Sequence, residues 1–253
     1  MGGETLSSEA GPRRPRYRGA TMADRMAVVT GGSSGLGLAI AEQLGREGIA
    51  VSIIGRNPQR VRDAVDRVRA AGSEAHGLSC DVSRQDQVRA AMQEFGQRGR
   101  IGYLFNVAGV GRFGPPEELS ESAIDEVLAG NLKGLMIATA SILPIFRANE
   151  GGTIVSVLSS AALVGRPDEA VYCAAKWGAR GFMEALRAAL KGSSIRTLTV
   201  YPGGMRTPFW SEDAGKSPDL STYMDPQDVA RQILRVVLTP GGAHVTEMTI
   251  ARA

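Results

Sequence analysis

The residues best suited to chemistry lie in the run Tyr172-Cys173-Ala174-Ala175-Lys176. On a helix, positions i and i+4 share a face, so Tyr172 and Lys176 point the same way. A free phenol, with a pKa of ~10, exchanges protons poorly near neutrality. A neighbouring ammonium stabilises the phenolate and lowers that value, which suits a general acid or base. Upstream, the apolar run Thr153–Leu158 ends in Ser159 and Ser160, and a serine at such a strand end can hydrogen-bond a substrate oxygen. Other catalytic side chains are scarce. The two histidines, His76 and His244, and the two cysteines, Cys80 and Cys173, are scattered. A zinc site needs three or four nitrogen or sulfur ligands close together, so no metal is expected. Cys173 reads as a small helix residue rather than a redox-sensitive thiol.

A second set of residues is suited to holding a phosphate. Thr30-Gly31-Gly32-Ser33-Ser34-Gly35-Leu36-Gly37 leaves an apolar strand and opens a helix. Glycines there permit a tight turn and close backbone approach to a pyrophosphate, and the helix N-terminus offers free N–H groups to the anion. The spacing is Gly31-xxx-Gly35-x-Gly37 rather than GxGxxG, and no Gly-Lys-Ser/Thr follows, so this is not a P-loop. A fold that prefers NAD usually carries an acid about 20 residues on, at the end of the second strand. Here that region reads Ile53-Ile54-Gly55-Arg56-Asn57. Arg56 stands where a 2′-phosphate would lie and suits it by charge and fork geometry, so NADP(H) is expected over NAD(H).

The elements that must position these groups alternate. Apolar strands are expected at Met26–Thr30, Ala50–Ile54, Ala75–Cys80, Tyr103–Val107, Thr153–Leu158, Arg196–Tyr201 and His244–Thr249. Helical spacing covers Leu36–Glu47, Pro58–Ala71, Gln85–Arg98, a stretch from Ser122, Leu132–Ala148, Ala170–Leu190 and Pro226–Val237. Strand-helix alternation throughout means βαβ units. The expected fold is α/β: a single doubly wound Rossmann-type domain over residues 26–253, with a central parallel sheet of about seven strands flanked by helices on both faces. In such sheets ligands bind outside the carboxyl ends of the strands.

Composition narrows the function further. Residues 1–25 are polar, rich in glycine, proline and arginine, and lack periodicity, so a disordered arm is expected. That arm holds five arginines against Glu4, Glu9 and Asp24, which accounts for most of a net charge of only +3. The basic pI therefore does not imply a nucleic-acid partner, and a basic arm with Tyr17 as its one aromatic argues weakly for one. No apolar h-region marks a secretory signal. The apolar segment 132–146 contains Lys133 and Pro144, so no membrane association is expected. Two scattered cysteines suit a reducing cytosol, and a cytoplasmic location follows as an expectation. Glycine, at 32 of 253 residues, is about twice the usual ~7%; turns around a cofactor explain part of that excess.

Several of these features together resemble the short-chain dehydrogenase/reductase family. The loop at Thr30–Gly37 looks like its TGxxxGxG, and Tyr172 with Lys176 its YxxxK. Asp81 matches the acid that meets the adenine there, with Val82 beside it. Asn106-Val107-Ala108-Gly109 is similar to NNAG, with Val107 in place of the second Asn. Asn131 falls at the family's helix asparagine. Ser159 precedes Tyr172 by the family's thirteen residues, which favours it over Ser160. Pro202, Gly203 and Thr207 match the segment that meets the nicotinamide. The resemblance covers about residues 26–250.

What it implies is reversible hydride transfer between a nicotinamide and a ketone or secondary alcohol. Tyr172 would be proton donor and Ser159 would polarise the oxygen. Lys176 would lower the tyrosine pKa and hold the nicotinamide ribose, and Asn131 would hold a water linking Lys176 to solvent. The resemblance also implies a homodimer or homotetramer. Phe209 and Trp210 in a lid over 203–224, with Val110, Phe113, Leu163 and Val164, suggest a small, largely apolar substrate. Arg166 and Arg206 are candidates for reading an anionic group, although arginines of this kind are more often solvated surface. The ending His244–Ile250 does not look like that of family members acting on β-ketoacyl-carrier-protein, which leaves secondary-metabolite ketoreductases open. Two rival functions are a non-catalytic, cofactor-sensing protein of this fold and, more remotely, a nucleic-acid binder through the arginine arm.

Overall fold

The structure, a computed structural model, describes residues 25–210, 214–216 and 218–252. The expected arm, apart from Arg25, lies outside the described residues. Strands β1 (Met26–Thr30), β2 (Val51–Gly55), β3 (Ala75–Ser79), β4 (Ile101–Asn106), β5 (Gly152–Val157), β6 (Ile195–Pro202) and β7 (Glu247–Ile250) alternate with helices. These are α1 (Gly35–Arg46), α2 (Pro58–Ala70), α3 (Gln85–Arg98), α4 (Glu121–Leu128), α5 (Gly134–Ala148), α6 (Ala170–Ala189) and α7 (Pro226–Leu238). The sheet order is β3-β2-β1-β4-β5-β6-β7, and every neighbouring pair is parallel. The order reverses between β1 and β4, which opens a crevice at their carboxyl ends.

A parallel sheet is buried on both faces, so its strands read as continuous apolar runs rather than alternating ones. All residues of β1, β2 and β4 are buried. Because successive side chains point to opposite faces, each strand feeds two cores. Ala27, Val29, Val51 and Ile53 pack with Leu36, Ile40 and Leu44 of α1, Val61 and Val65 of α2, and Val229 and Ile233 of α7. Val28, Ile54 and Leu104 pack on the other face with Val88, Met92 and Phe95 of α3, Ile142 and Phe146 of α5, and Met183 of α6.

Helix starts follow local chemistry. Asn57 caps α2 by accepting from Arg60 N, with Pro58 in the first turn, and Asp225 does the same for α7 ahead of Pro226. Two expectations need correction. The separate helices expected from Ser122 and from Leu132 form one continuous rod over Glu121–Ala148, joined by a wider π-turn at Ala129–Lys133. The Asn131 amide causes the widening: its Nδ2 donates to Val127 O at 2.9 Å, and a side chain on a carbonyl four residues back opens the helical ladder. By length and composition this rod is apolar enough to cross a bilayer, yet its Leu135, Ala138, Ile142 and Phe146 are buried in the domain core.

The last strand begins at Glu247, not at His244, which is exposed outside the sheet. The chain returning from α7 through Pro240-Gly241-Gly242 meets the Arg196 side chain of β6 at Gly241 O and joins its backbone where Thr199 N donates to Thr246 O.

Candidate active site

The loops leaving β1, β2, β4, β5 and β6 meet around one cleft of about 560 Å³, and a cavity of about 430 Å³ adjoins it beside β2 and β3. The turn after β1 forms the floor. Gly31 has φ +67°, and a Cβ there would stand 2.7 Å from Ala108 Cα; a Cβ on Gly37 would stand 2.2 Å from Gly31 O. Neither position admits a methyl group. The turn is tied to the loop after β4 by Thr30, whose Oγ1 accepts from Val107 N at 3.1 Å and Ala108 N at 3.3 Å. Val107 contributes its backbone here, while its side chain packs into the core. Helix α1 then starts at Gly35 with no side-chain cap and no acid in its first turn. The starts of α2, α4 and α7 are each closed by a capping side chain, those of α3 and α6 are not, and α1 alone among these opens directly from the glycine turn. The open N–H groups of α1 and its positive dipole end fit a pyrophosphate.

Arg56 lines both cavities, with its side chain 63% exposed. Asp81 and Val82 line the second. Burial alone would raise Asp81, but hydrogen bonds from Ser83 and the nearby Arg56 and Arg84 hold it below the ordinary carboxylate value. Gly31, Ser34, Ala108 and Gly109 line both cavities, Ser33 the second, and Gly35, Leu36, Gly37, Pro202, Gly203 and Thr207 the first. Asn106 is different. It lines neither cavity; its Nδ2 donates to Thr139 Oγ1 at 3.0 Å and Ser156 Oγ at 3.3 Å, which braces β4 against α5 and β5.

Ser159, Asn131, Tyr172 and Lys176 converge on the first cleft. Ser159 ends β5's approach and its Oγ accepts from Ala161 N at 3.1 Å, turning the chain. Lys176 Nζ lies 5.5 Å from the Tyr172 ring centroid, as the i, i+4 spacing requires. Burial pushes the Tyr172 phenol above its ordinary value, and the hydrogen bond with Ser159 works against that rise. Burial also lowers Lys176, to about 8. The expectation that Lys176 brings the phenol down is thus not the net result in this geometry: both groups have lost water, and loss of water disfavours the charged form of each.

Asn131 Nδ2 also donates to Val110 O at 2.8 Å, and its buried Oδ1 has no protein partner. That oxygen and Lys176 Nζ lie 2.7 and 3.7 Å from the point where a Cβ on Gly109 would stand. An orphaned buried acceptor beside a buried ammonium is a place for water.

The mouth is aromatic. Tyr172 meets Phe113 edge-on at 5.5 Å and Phe209 at 5.6 Å, and Trp210 stacks on Phe113 at 5.5 Å. Val110, Phe209 and Trp210 line the cleft, Phe113 stands behind Tyr172, and Leu163 and Val164 stay off the wall. The charged part of the wall comprises Arg60, Arg112, Glu126, Glu169 and Lys216 as well. Sequence reasoning missed these, because their pairings, Arg112–Glu126 at 2.8 Å and Lys216–Glu169 at 2.9 Å, join positions with no local spacing rule.

This arrangement has relatives. Residues 25–217 match the family model for short chain dehydrogenase. The chain belongs to the short-chain dehydrogenase family. It is therefore an oxidoreductase of the class acting on CH–OH groups. It is 30% identical over 238 residues to the cyclopentanol dehydrogenase of Comamonas testosteroni, covering 90% of this chain and 95% of that one. The actinorhodin polyketide ketoreductase structure with NADPH superposes with a TM-score of 0.81 at 30% identity, covering 91% of this chain and 96% of that one. A metagenomic short-chain oxidoreductase in complex with NADP gives a TM-score of 0.78 at 29% identity, covering 90% and 97%.

Replacing Gly37 by Ala puts a methyl against Gly31 O. We expect loss of NADPH binding, by quenching of protein fluorescence, at least tenfold in Kd, with a lower melting temperature.

Proposed function

We propose that this enzyme catalyses NADP(H)-dependent, reversible interconversion of a ketone and a secondary alcohol on a small, largely apolar substrate. The convergence of Ser159, Tyr172, Lys176 and Asn131 on one cleft beside the uncapped start of α1 carries the reading. The cofactor, when bound, supplies or takes up the hydride. Gly31, Ser33, Ser34, Gly35, Leu36 and Gly37 would hold its pyrophosphate, and Arg56 its 2′-phosphate. Asp81, Val82, Ala108 and Gly109 would line its adenosine end, and Pro202, Gly203 and Thr207 its nicotinamide end. Asn106 would act on the cofactor through the strand that its Nδ2 braces.

In reduction, Ser159 donates a hydrogen bond to the carbonyl oxygen and orients it. Tyr172, kept protonated by burial, gives its proton to that oxygen as charge develops. Positioned proton transfer of this kind contributes typically ~10²–10⁴ in rate. Lys176 in its ammonium form stabilises the phenolate left behind, and a water held at Asn131 Oδ1 returns the proton. The complete Ser–Tyr–Lys set argues against a cofactor-sensing role without catalysis. NADP and NADPH in the related structures support the cofactor assignment.

The outer flank of α5 and α6 carries Ile137, Leu143, Phe182 and Leu186 only partly buried, with Trp177 49% exposed. Such a surface favours a homodimer or homotetramer built on these helices. Both cysteines are unpaired, consistent with a cytoplasmic setting. The catalytic domain would run over residues 26–253.

A panel of ketones and alcohols with NADPH and NADP tests the reaction. Tyr172→Phe should abolish turnover while NADPH still binds; full retained activity would falsify the assignment. Arg56→Ala should weaken NADPH about ten- to hundredfold and leave NADH within about twofold, the range of a lost charge-assisted contact; equal change for both cofactors refutes the role of Arg56. Lys176 is cationic below its value of about 8 and neutral above it. Ketone reduction should therefore hold at neutral pH and decline as pH rises past about 8, a profile read from kcat/KM.

A further inference from the structure

The charges on the cleft wall are mostly matched. Arg112 and Arg56 share Glu126 at 2.8 and 3.8 Å, and Lys216 is held by Glu169, itself only 4% exposed. Arg206, one of the two arginines able to read an anion, turns to Asp225 at 3.2 Å and to Tyr223 O, away from the cleft wall.

Two arginines of the wall have no carboxylate partner among the described residues: Arg60, which also lines the cavity beside β2 and β3, and Arg166, which lines the first cleft alone. Its contact is Nη2 donating to Ser160 Oγ at 2.8 Å. This gives the second serine of the doublet a role of its own. Ser159 turns the chain and bonds the phenol, whereas Ser160 steadies a guanidinium on the same turn. One of five donors is used, so a fork remains for a planar anion. The guanidinium also acts on the Tyr172 phenol, favouring its ionised form, which puts it within electrostatic reach of the reacting end. Phe209 and Trp210 supply the apolar part of the same cleft.

We propose that Arg166 is a specificity-determining residue, and that the preferred substrates are ketones or alcohols with an apolar body and a carboxylate remote from the reacting carbon. The carboxylate lies on the Arg166 fork and the body lies against Phe209 and Trp210. This deepens the proposed function and rests on Tyr172 and Ser159 marking the reacting end.

The test compares 4-oxocyclohexanecarboxylate with its methyl ester, which share a ring and differ in charge. The native enzyme should favour the acid in kcat/KM by about tenfold or more, the worth of one charge-assisted contact. Arg166→Ala should collapse the acid-to-ester ratio towards one, chiefly through KM of the acid. Arg166→Lys should recover part of the ratio, and Ser160→Ala should lower it less than Arg166→Ala does. An effect transmitted only through Tyr172 would change both ketones together and leave the ratio intact, which refutes the proposal.

A second arm needs no turnover. Calorimetry of the NADP-loaded protein should show cyclohexanecarboxylate binding tighter than cyclohexanecarboxamide, with the difference lost in Arg166→Ala. Carboxylate binding through Arg166 without reduction of either ketone would sustain the anion site and overturn the hydride-transfer reading. Reduction of both ketones at an unchanged ratio, with equal binding of acid and amide, would do the reverse.

Discussion

The site hangs on one close approach. Where the sheet order reverses, the turn after β1 and the loop after β4 come together with backbone against backbone, fastened by the Thr30 hydroxyl to two consecutive amides. A hydroxyl used this way replaces water for two N–H groups that burial would otherwise leave unsatisfied. It also sets the distance between the start of α1 and the segment Val107–Gly109. Everything around the cleft inherits that spacing: Asn131 reaches Val110 O because this loop lies where it does, and Lys176 reaches the same neighbourhood of Gly109.

Around that junction the protein accepts a costly arrangement. A phenol and an ammonium are both buried, and each titrates away from its charged form. Groups held this way are poised rather than stable, since a small change in their surroundings changes how readily each gives up its proton. The compensation is distributed. Ser159 bonds the phenol, Asn131 leaves an acceptor open nearby, and a separate apolar cluster of Phe113, Val127, Ala161 and Ala214 packs around Tyr172.

Much of this was legible in the residues. The glycine turn, the i, i+4 pair and the strand-helix alternation are local patterns, and local patterns survive into the fold. The sheet, its parallel sense and the gathering of Ser159, Tyr172, Lys176 and the glycine loop follow from them. Other features were not legible for definite reasons. The break expected between Ser122 and Leu132 is a widened turn, because one amide side chain competes for a helical carbonyl; hydropathy does not register that. The late start of β7 depends on where a loop rejoins β6, not on the residues at 244–246. Asn106 falls in a cofactor motif by position, but its Nδ2 is spent between neighbouring elements and its buried Oδ1 has no protein partner. The ion pairs of Glu126 and Glu169 join residues distant in sequence, and no spacing rule anticipates them.

The rigidity of the cleft is lopsided. On the side built from Gly31, Gly37 and Gly109, one added methyl meets a backbone atom or a polar group, so that wall has almost no room for mutational drift. Another part of the lining is made of side chains: Phe209 packs edge-on against Trp210, and Arg166 bonds Ser160. Diversification of what the enzyme accepts is therefore confined to one bank of the cleft. A library aimed at new substrates belongs there, and the other bank is best left untouched.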